Sequence, residues 1–141
     1  MKREAKARWT GGIKDGRGNL STDSGALSST PYSFKDRFED GQDTNPEELL
    51  AAAHAGCFSM ALAGQLGKAG MTPASIETTA RVSLEPEGDG FAISEVHLEV
   101  TMNIPGADRD AAMAAAEQAK QGCPVSKLFN AKITMDASLE S

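Results

Sequence analysis

From Leu49 to Gly67 the chain carries no Asp, Glu, Lys or Arg, its longest run without charge. Just ahead stands Asn45-Pro46-Glu47-Glu48, a helix-start signal. Asn45 can accept from a free N–H of the first turn, Pro46 needs no N–H there, and Glu48 is placed to reciprocate the cap. Nearly every residue from Leu49 to Leu66 is apolar or small, so the sequence predicts a helix buried on all sides, ended by Gly67 and Gly70. Such a helix obliges the rest of the chain to supply covering layers. The run includes His54, Gln65 and three glycines, and much of its apolar content is Ala. It is expected to fall short of the roughly 20 strongly apolar residues of a membrane span, so a core helix is predicted and no membrane partner.

The covering layers are legible as strands. Ala5, Ala7 and Trp9 alternate with Lys6 and Arg8, and a glycine-rich stretch from Gly11 to Gly18 predicts a hairpin returning through Leu20 to Ser24. A polar stretch to Thr44 is read as loop, with one short strand around Tyr32 to Phe38. Ser75 to Leu84 places Ile76, Thr78, Ala80, Val82 and Leu84 on one face, and the turn at 85–90 leads into a strand from Phe91 to Asn103. The apolar phase of that second strand changes between Ile93 and Val96, which predicts a β-bulge near Ser94 and Glu95. His97 is expected to face solvent beside Glu95 and Glu99. Asp108 should cap a helix to about Gln121, Pro124 should start a short helix to Leu128, and Ile133, Met135, Ala137 and Leu139 share one face of a last strand. The order of elements gives an α+β fold, and 141 residues suit one domain over the whole length.

The net charge of −6, with Lys and Arg scattered, argues against nucleic acid as a partner. The opening MKREAKARW has no apolar core after it, so no secretory leader and a cytoplasmic location are expected. Only two cysteines are present; in that compartment a standing structural disulfide is not expected, so they are redox-active thiols or two inert core residues.

Cys57 falls deep in the long helix, where the helix dipole has faded and burial alone raises a thiol pKa. A reactive Cys57 therefore needs a nearby cation. Cys123 stands at the N-cap of the short helix begun by Pro124, where its sulfur can meet free N–H groups that favour a thiolate. His54 shares a helix face with Cys57. His54, Cys57 and Cys123 could supply three zinc ligands, or His54 could serve a thiol hydrolase as base. No fourth ligand stands out, and a buried histidine with one hydrogen bond is the plainer expectation, so no metal is assigned.

Asn45-Pro46-Glu47-Glu48-Leu49-Leu50, followed by Ala53-His54-Ala55-Gly56-Cys57-Phe58-Ser59-Met60-Ala61-Leu62, closely resembles the osmotically inducible protein C (OsmC) family. Gly122-Cys123-Pro124-Val125-Ser126-Lys127 resembles the same family's second motif, and the likeness extends from Trp9 through the final strand. The resemblance implies a central helix packed against β-sheet in an intertwined homodimer, with the active sites at the interface. It implies a thiol peroxidase that reduces organic hydroperoxides, and hydrogen peroxide more weakly, in oxidative and osmotic stress defence. By the same resemblance Cys57 is the attacking cysteine, Cys123 the resolving one, and Arg37 and Glu47 the supporting pair, with Glu47 gripping Arg37 bidentately. An external dithiol, a lipoylated protein, would restore the thiols; no cofactor is implied. At Gly11-Gly12 the related organic hydroperoxide resistance (Ohr) proteins continue with the active-site arginine, where this chain has Ile13. Arg37 in Asp36-Arg37-Phe38 is the OsmC arrangement. A redox sensor or ligand-binding module without turnover remains the alternative.

Overall fold

The computed structural model describes all 141 residues. Its elements are β1 (Ala5–Thr10), β2 (Arg17–Thr22), β3 (Thr30–Tyr32), α1 (Phe34–Phe38), α2 (Pro46–Lys68), β4 (Ser75–Glu87), β5 (Gly90–Asn103), α3 (Arg109–Gly122), α4 (Pro124–Leu128) and β6 (Lys132–Glu140). The α+β class matches the expectation. The chain divides into two compact units, Met1–Leu49 and Leu50–Ser141, with the boundary inside α2.

The first unit is an antiparallel sheet in the order β1-β2-β3, followed by α1. The return strand starts at Arg17, ahead of the expected Leu20, because Gly16 closes the turn by donating its N–H to Gly12 O at 2.8 Å. Trp9 pairs with Gly18 in register, and its ring lies 5.6 Å from that of Tyr32. A Cβ at Gly18 would overlap both rings, so the position requires glycine. The strand expected around Tyr32 to Phe38 is corrected: β3 ends at Tyr32, and Phe34–Phe38 are helical. Ser33 is the reason, since its Oγ accepts from Asp36 N–H at 3.4 Å and its hydroxyl donates to Asp36 Oδ2 at 2.7 Å. That is a capping box, which the reading of this stretch as loop and strand missed. Only Gly16, Gly18, Asp36 and Glu47 are buried in this unit, and no apolar side chain is.

The second unit holds the core. β4 and β5 form a long antiparallel hairpin turning at Gly88 and Asp89, with Gly88 at φ +57°. Ser83 opposes Glu95 and Leu84 opposes Ile93, so Ser94 is the extra residue of the predicted bulge. The bulge brings Ile93 into line with Val96, Leu98, Val100 and Met102, while Phe91 remains exposed. β6 then pairs with β5 in parallel, Val96 beside Ile133 and Leu98 beside Met135. Two helical surfaces close this face: Phe58, Leu62 and Leu66 of α2, and Ala112, Ala115, Ala116 and Ala119 of α3. Ser59 bonds Thr78 of β4 at 2.8 Å.

The long helix begins as predicted, with Asn45 Oδ1 accepting from Glu48 N–H at 2.8 Å. The Glu48 carboxylate does not complete the expected reciprocal cap; it accepts from the Thr44 hydroxyl at 2.8 Å. Gly67 lies within α2, and the helix closes at Gly70, φ +78°, where Met71 N–H reaches Leu66 O at 2.9 Å and Gly70 N–H reaches Gly67 O at 3.0 Å. Burial on all sides is also corrected. One stripe is buried, His54, Phe58, Leu62 and Leu66, each one turn from the next, while Ala52, Ala53, Gly56, Met60, Ala63 and Gly64 are exposed, Met60 at 80%. By length and apolarity α2 does meet the measure of a membrane span, against the expectation that it falls short; the core helix of a soluble protein passes the same measure.

Candidate active site: a cysteine pair and an arginine–glutamate pair

Four site residues named from the sequence fall into two pairs. In the second unit, Cys123 Sγ donates to Cys57 Sγ at 2.8 Å, although 66 residues separate them. Both cysteines are free thiols, Cys57 half-buried and Cys123 wholly buried. A disulfide needs sulfurs about 2.05 Å apart, so less than an ångström of closure separates this pair from a bond. α2 brings Cys57 to its place one residue before Phe58, on the edge of the buried stripe. Cys123 ends α3, its N–H bonded to Ala119 O, and it is also the N-cap of α4.

Burial raises the Cys57 thiol above its ordinary range, and the hydrogen bond from Cys123 raises it further. The Val125 N–H opposes them by bonding the Cys57 sulfur. The expectation that Cys123 would collect the free N–H groups of α4 is corrected here, because its side chain makes no cap bond. Pro124 contributes no N–H, and the first one available, at Val125, serves the other cysteine. None of the groups that shift Cys57 is a cation.

Beside the sulfurs lies a pairing that the sequence did not announce. His54 Nε2 and Ser126 Oγ are 2.7 Å apart, both residues buried, with the imidazole 5.3 Å from the Phe129 ring. His54 Nδ1 has no partner, and burial lowers the histidine pKa, so the ring is neutral. The single hydrogen bond is the plainer of the two expectations for His54. No group of three or more His, Cys, Asp or Glu side chains is placed to hold a metal. The only hint of Ser126 was spacing: it follows Cys123 by three residues, as Cys57 follows His54.

In the first unit, Arg37 Nε donates to Glu47 Oε1 at 2.7 Å. The expected bidentate grip is corrected to this single bond. The guanidinium carbon also sits 5.3 Å from the Phe38 ring centroid, and Glu47 Oε2 is buried without a partner. The Arg37 side chain remains 41% exposed. Asp36 anchors this corner. Besides its bonds with Ser33, it accepts from Asp43 N–H at 2.9 Å through Oδ1 and from Asn45 Nδ2 at 3.0 Å through its carbonyl. The Ser33 hydroxyl and the Asp43 N–H hold the Asp36 carboxyl below its ordinary pKa. His97, expected to face solvent beside Glu95 and Glu99, is half-buried and crosses to β6, bonding Thr134 Oγ1 at 2.6 Å and Asp136 at 3.2 Å.

Residues 39–138 match the family model described as OsmC-like protein. The chain is 50% identical over 139 residues to Peroxiredoxin OsmC of Escherichia coli, covering 99% of this chain and 97% of that one. It superposes on the organic hydroperoxide resistance protein OhrB of Bacillus subtilis with a TM-score of 0.68 at 27% identity, covering 95% of this chain and 97% of that one. An OsmC-like protein of Mycoplasma pneumoniae shares the fold, with a TM-score of 0.77 at 13% identity over 100% of this chain and 99% of the other. The capped helix bearing Cys57, the Cys123 motif and these matches agree: the chain belongs to the OsmC-like protein family.

Proposed function

We infer that the protein is a thiol peroxidase that reduces organic hydroperoxides to alcohols, and hydrogen peroxide more weakly to water. The observation that carries this reading is the 2.8 Å meeting of two free cysteines 66 residues apart. A Cys57 thiolate attacks the peroxide, releases the alcohol and becomes a sulfenic acid. Cys123 then displaces the hydroxyl, giving the Cys57–Cys123 disulfide and water. An external dithiol returns both thiols; a lipoylated protein is the reductant this reading favours. Peroxiredoxin and organic hydroperoxide resistance, the names carried by the relatives, support the same chemistry. The reading includes a cytoplasmic location, where resting thiols stay reduced, and a role in oxidative and osmotic stress defence.

Within this reading Arg37 supplies the cation that Cys57 lacks, and Glu47 orients it. Glu47 and Cys57 lie on one helix, ten residues and about 15 Å apart along its axis. Arg37 and Glu47 therefore serve the Cys57 of a second copy, in a homodimer with its active sites at the interface. Two observations support that assembly: the exposed Ala, Gly and Met60 face of α2, and a first unit without a buried apolar side chain. The two units make one OsmC-like domain whose core the second copy completes.

Consumption of cumene hydroperoxide and hydrogen peroxide, with dihydrolipoamide or dithiothreitol as reductant, tests the reading. Turnover that prefers the organic peroxide and vanishes in Cys57→Ser supports it. Thiol oxidation without turnover favours a redox sensor. Mixing Cys57→Ser with Arg37→Ala chains tests the shared site. Each mixed dimer should regain one of its two sites, and an inactive mixture sinks the sharing.

A further inference from the structure

We propose that His54 and Ser126 are positioning residues that form the second rung of a ladder joining α2 to α4, and that this rung sets how fast Cys123 captures the Cys57 sulfenic acid. The proposal rests on the peroxidase reading and deepens it.

The geometry is a pair of matched spacings. His54 precedes Cys57 by three residues on α2, and Ser126 follows Cys123 by three residues on α4. The partners cross: Cys57 meets Cys123 at 2.8 Å, and His54 meets Ser126 at 2.7 Å. The two segments therefore run antiparallel across two rungs, one of sulfur and one of nitrogen and oxygen. The second rung is buried, His54 wholly and Ser126 at 7% exposure, and His54 Nδ1 has no bond of its own. Without the Ser126 hydroxyl the buried ring would lose its single partner, which is why the rung resists opening.

The reaction makes placement decisive. In the resolving step the Cys123 sulfur forms an S–S bond to Cys57, the Cys57 S–O bond breaks, and the hydroxyl leaves as water with the Cys123 thiol proton. Competing with it, a second peroxide can oxidise the sulfenic acid to a sulfinic acid. The first reaction is intramolecular and depends on how closely α4 holds Cys123; the second depends on peroxide concentration alone. Loosening the rung should shift the balance toward the sulfinic acid, with the first attack on peroxide unaffected.

The test treats full-length wild type, Ser126→Ala and Ser126→Thr with excess cumene hydroperoxide and reads the products by intact mass. Wild type and Ser126→Thr, which keeps a hydroxyl, should form the disulfide. Ser126→Ala should give on the order of tenfold more sulfinic acid, with first thiol consumption within about twofold of wild type. The same product ratio in wild type and Ser126→Ala overturns the proposal. If Ser126→Ala does not fold, His54→Phe combined with Ser126→Ala removes both polar groups and carries the same comparison. If wild type consumes no thiol with peroxide, the peroxidase reading fails, and disulfide closure driven by diamide tests the ladder alone. Slower closure in Ser126→Ala then supports the rung, and equal closure overturns it.

Discussion

At Cys57 burial and activation pull in opposite directions. Desolvation and the Cys123 thiol raise its pKa, so an unaided Cys57 ionises only at alkaline pH. If Arg37 supplies the missing cation, Arg37→Ala should move the pH profile of the peroxide reaction upward, with the largest loss near pH 7. Stopped-flow rates across pH read this directly, and an unshifted profile would mean that another group ionises the thiol. His54 gives a second pH dependence. Its folded pKa lies below the ordinary histidine value of 6.5, so the stability that it contributes is present above 6.5. That contribution fades as pH falls from there through the depressed value. Urea midpoints should therefore decline over that acidic window in wild type, and less in His54→Phe.

At the scale of elements, the chain displayed whatever depends on local pattern. The cap at Asn45, the bulge at Ser94 and the short helix at Pro124 were all readable, since each follows from adjacent residues. The reading failed where the deciding partner is distant or a motif is brief. The Ser33 capping box needs only four residues, and the polar surroundings concealed it. The Val125 N–H passed to Cys57 because the tertiary fold brings α2 to α4, which no spacing within α4 reveals. Asp36 joins α1 to the start of α2 through Ser33, Asp43 and Asn45, so Asp36→Asn should loosen the corner that holds Arg37 against Glu47. A loss of up to about a hundredfold in peroxidase rate is expected, with little change in helix content by circular dichroism. Gly41→Ala should act similarly, because a Cβ there would overlap Asp36 itself. Phe58→Ala, which empties the centre of the buried stripe, should cost about 3–5 kcal/mol in denaturant unfolding.

For the whole molecule, the exposed face of α2 explains why burial on all sides was a reasonable reading of the sequence. Its composition is that of a core helix, while one chain covers only the stripe from His54 to Leu66. A second copy would reconcile the two. Sedimentation should then give twice the chain mass of 14.8 kDa, and Met60→Glu should move the population to single chains with loss of peroxidase activity. A wild-type mass of one chain would remove the shared site. The parallel register of β5 and β6 has a further consequence during synthesis. β4 and β5 can pair as soon as β5 leaves the ribosome, but the far edge of β5 must wait for α3, α4 and β6. Cys57 therefore emerges long before the residues that seat Cys123, and a nascent chain carries one solitary thiol. Its redox couple comes into being only when the later strand docks, so oxidants met on the ribosome would find no pair to close.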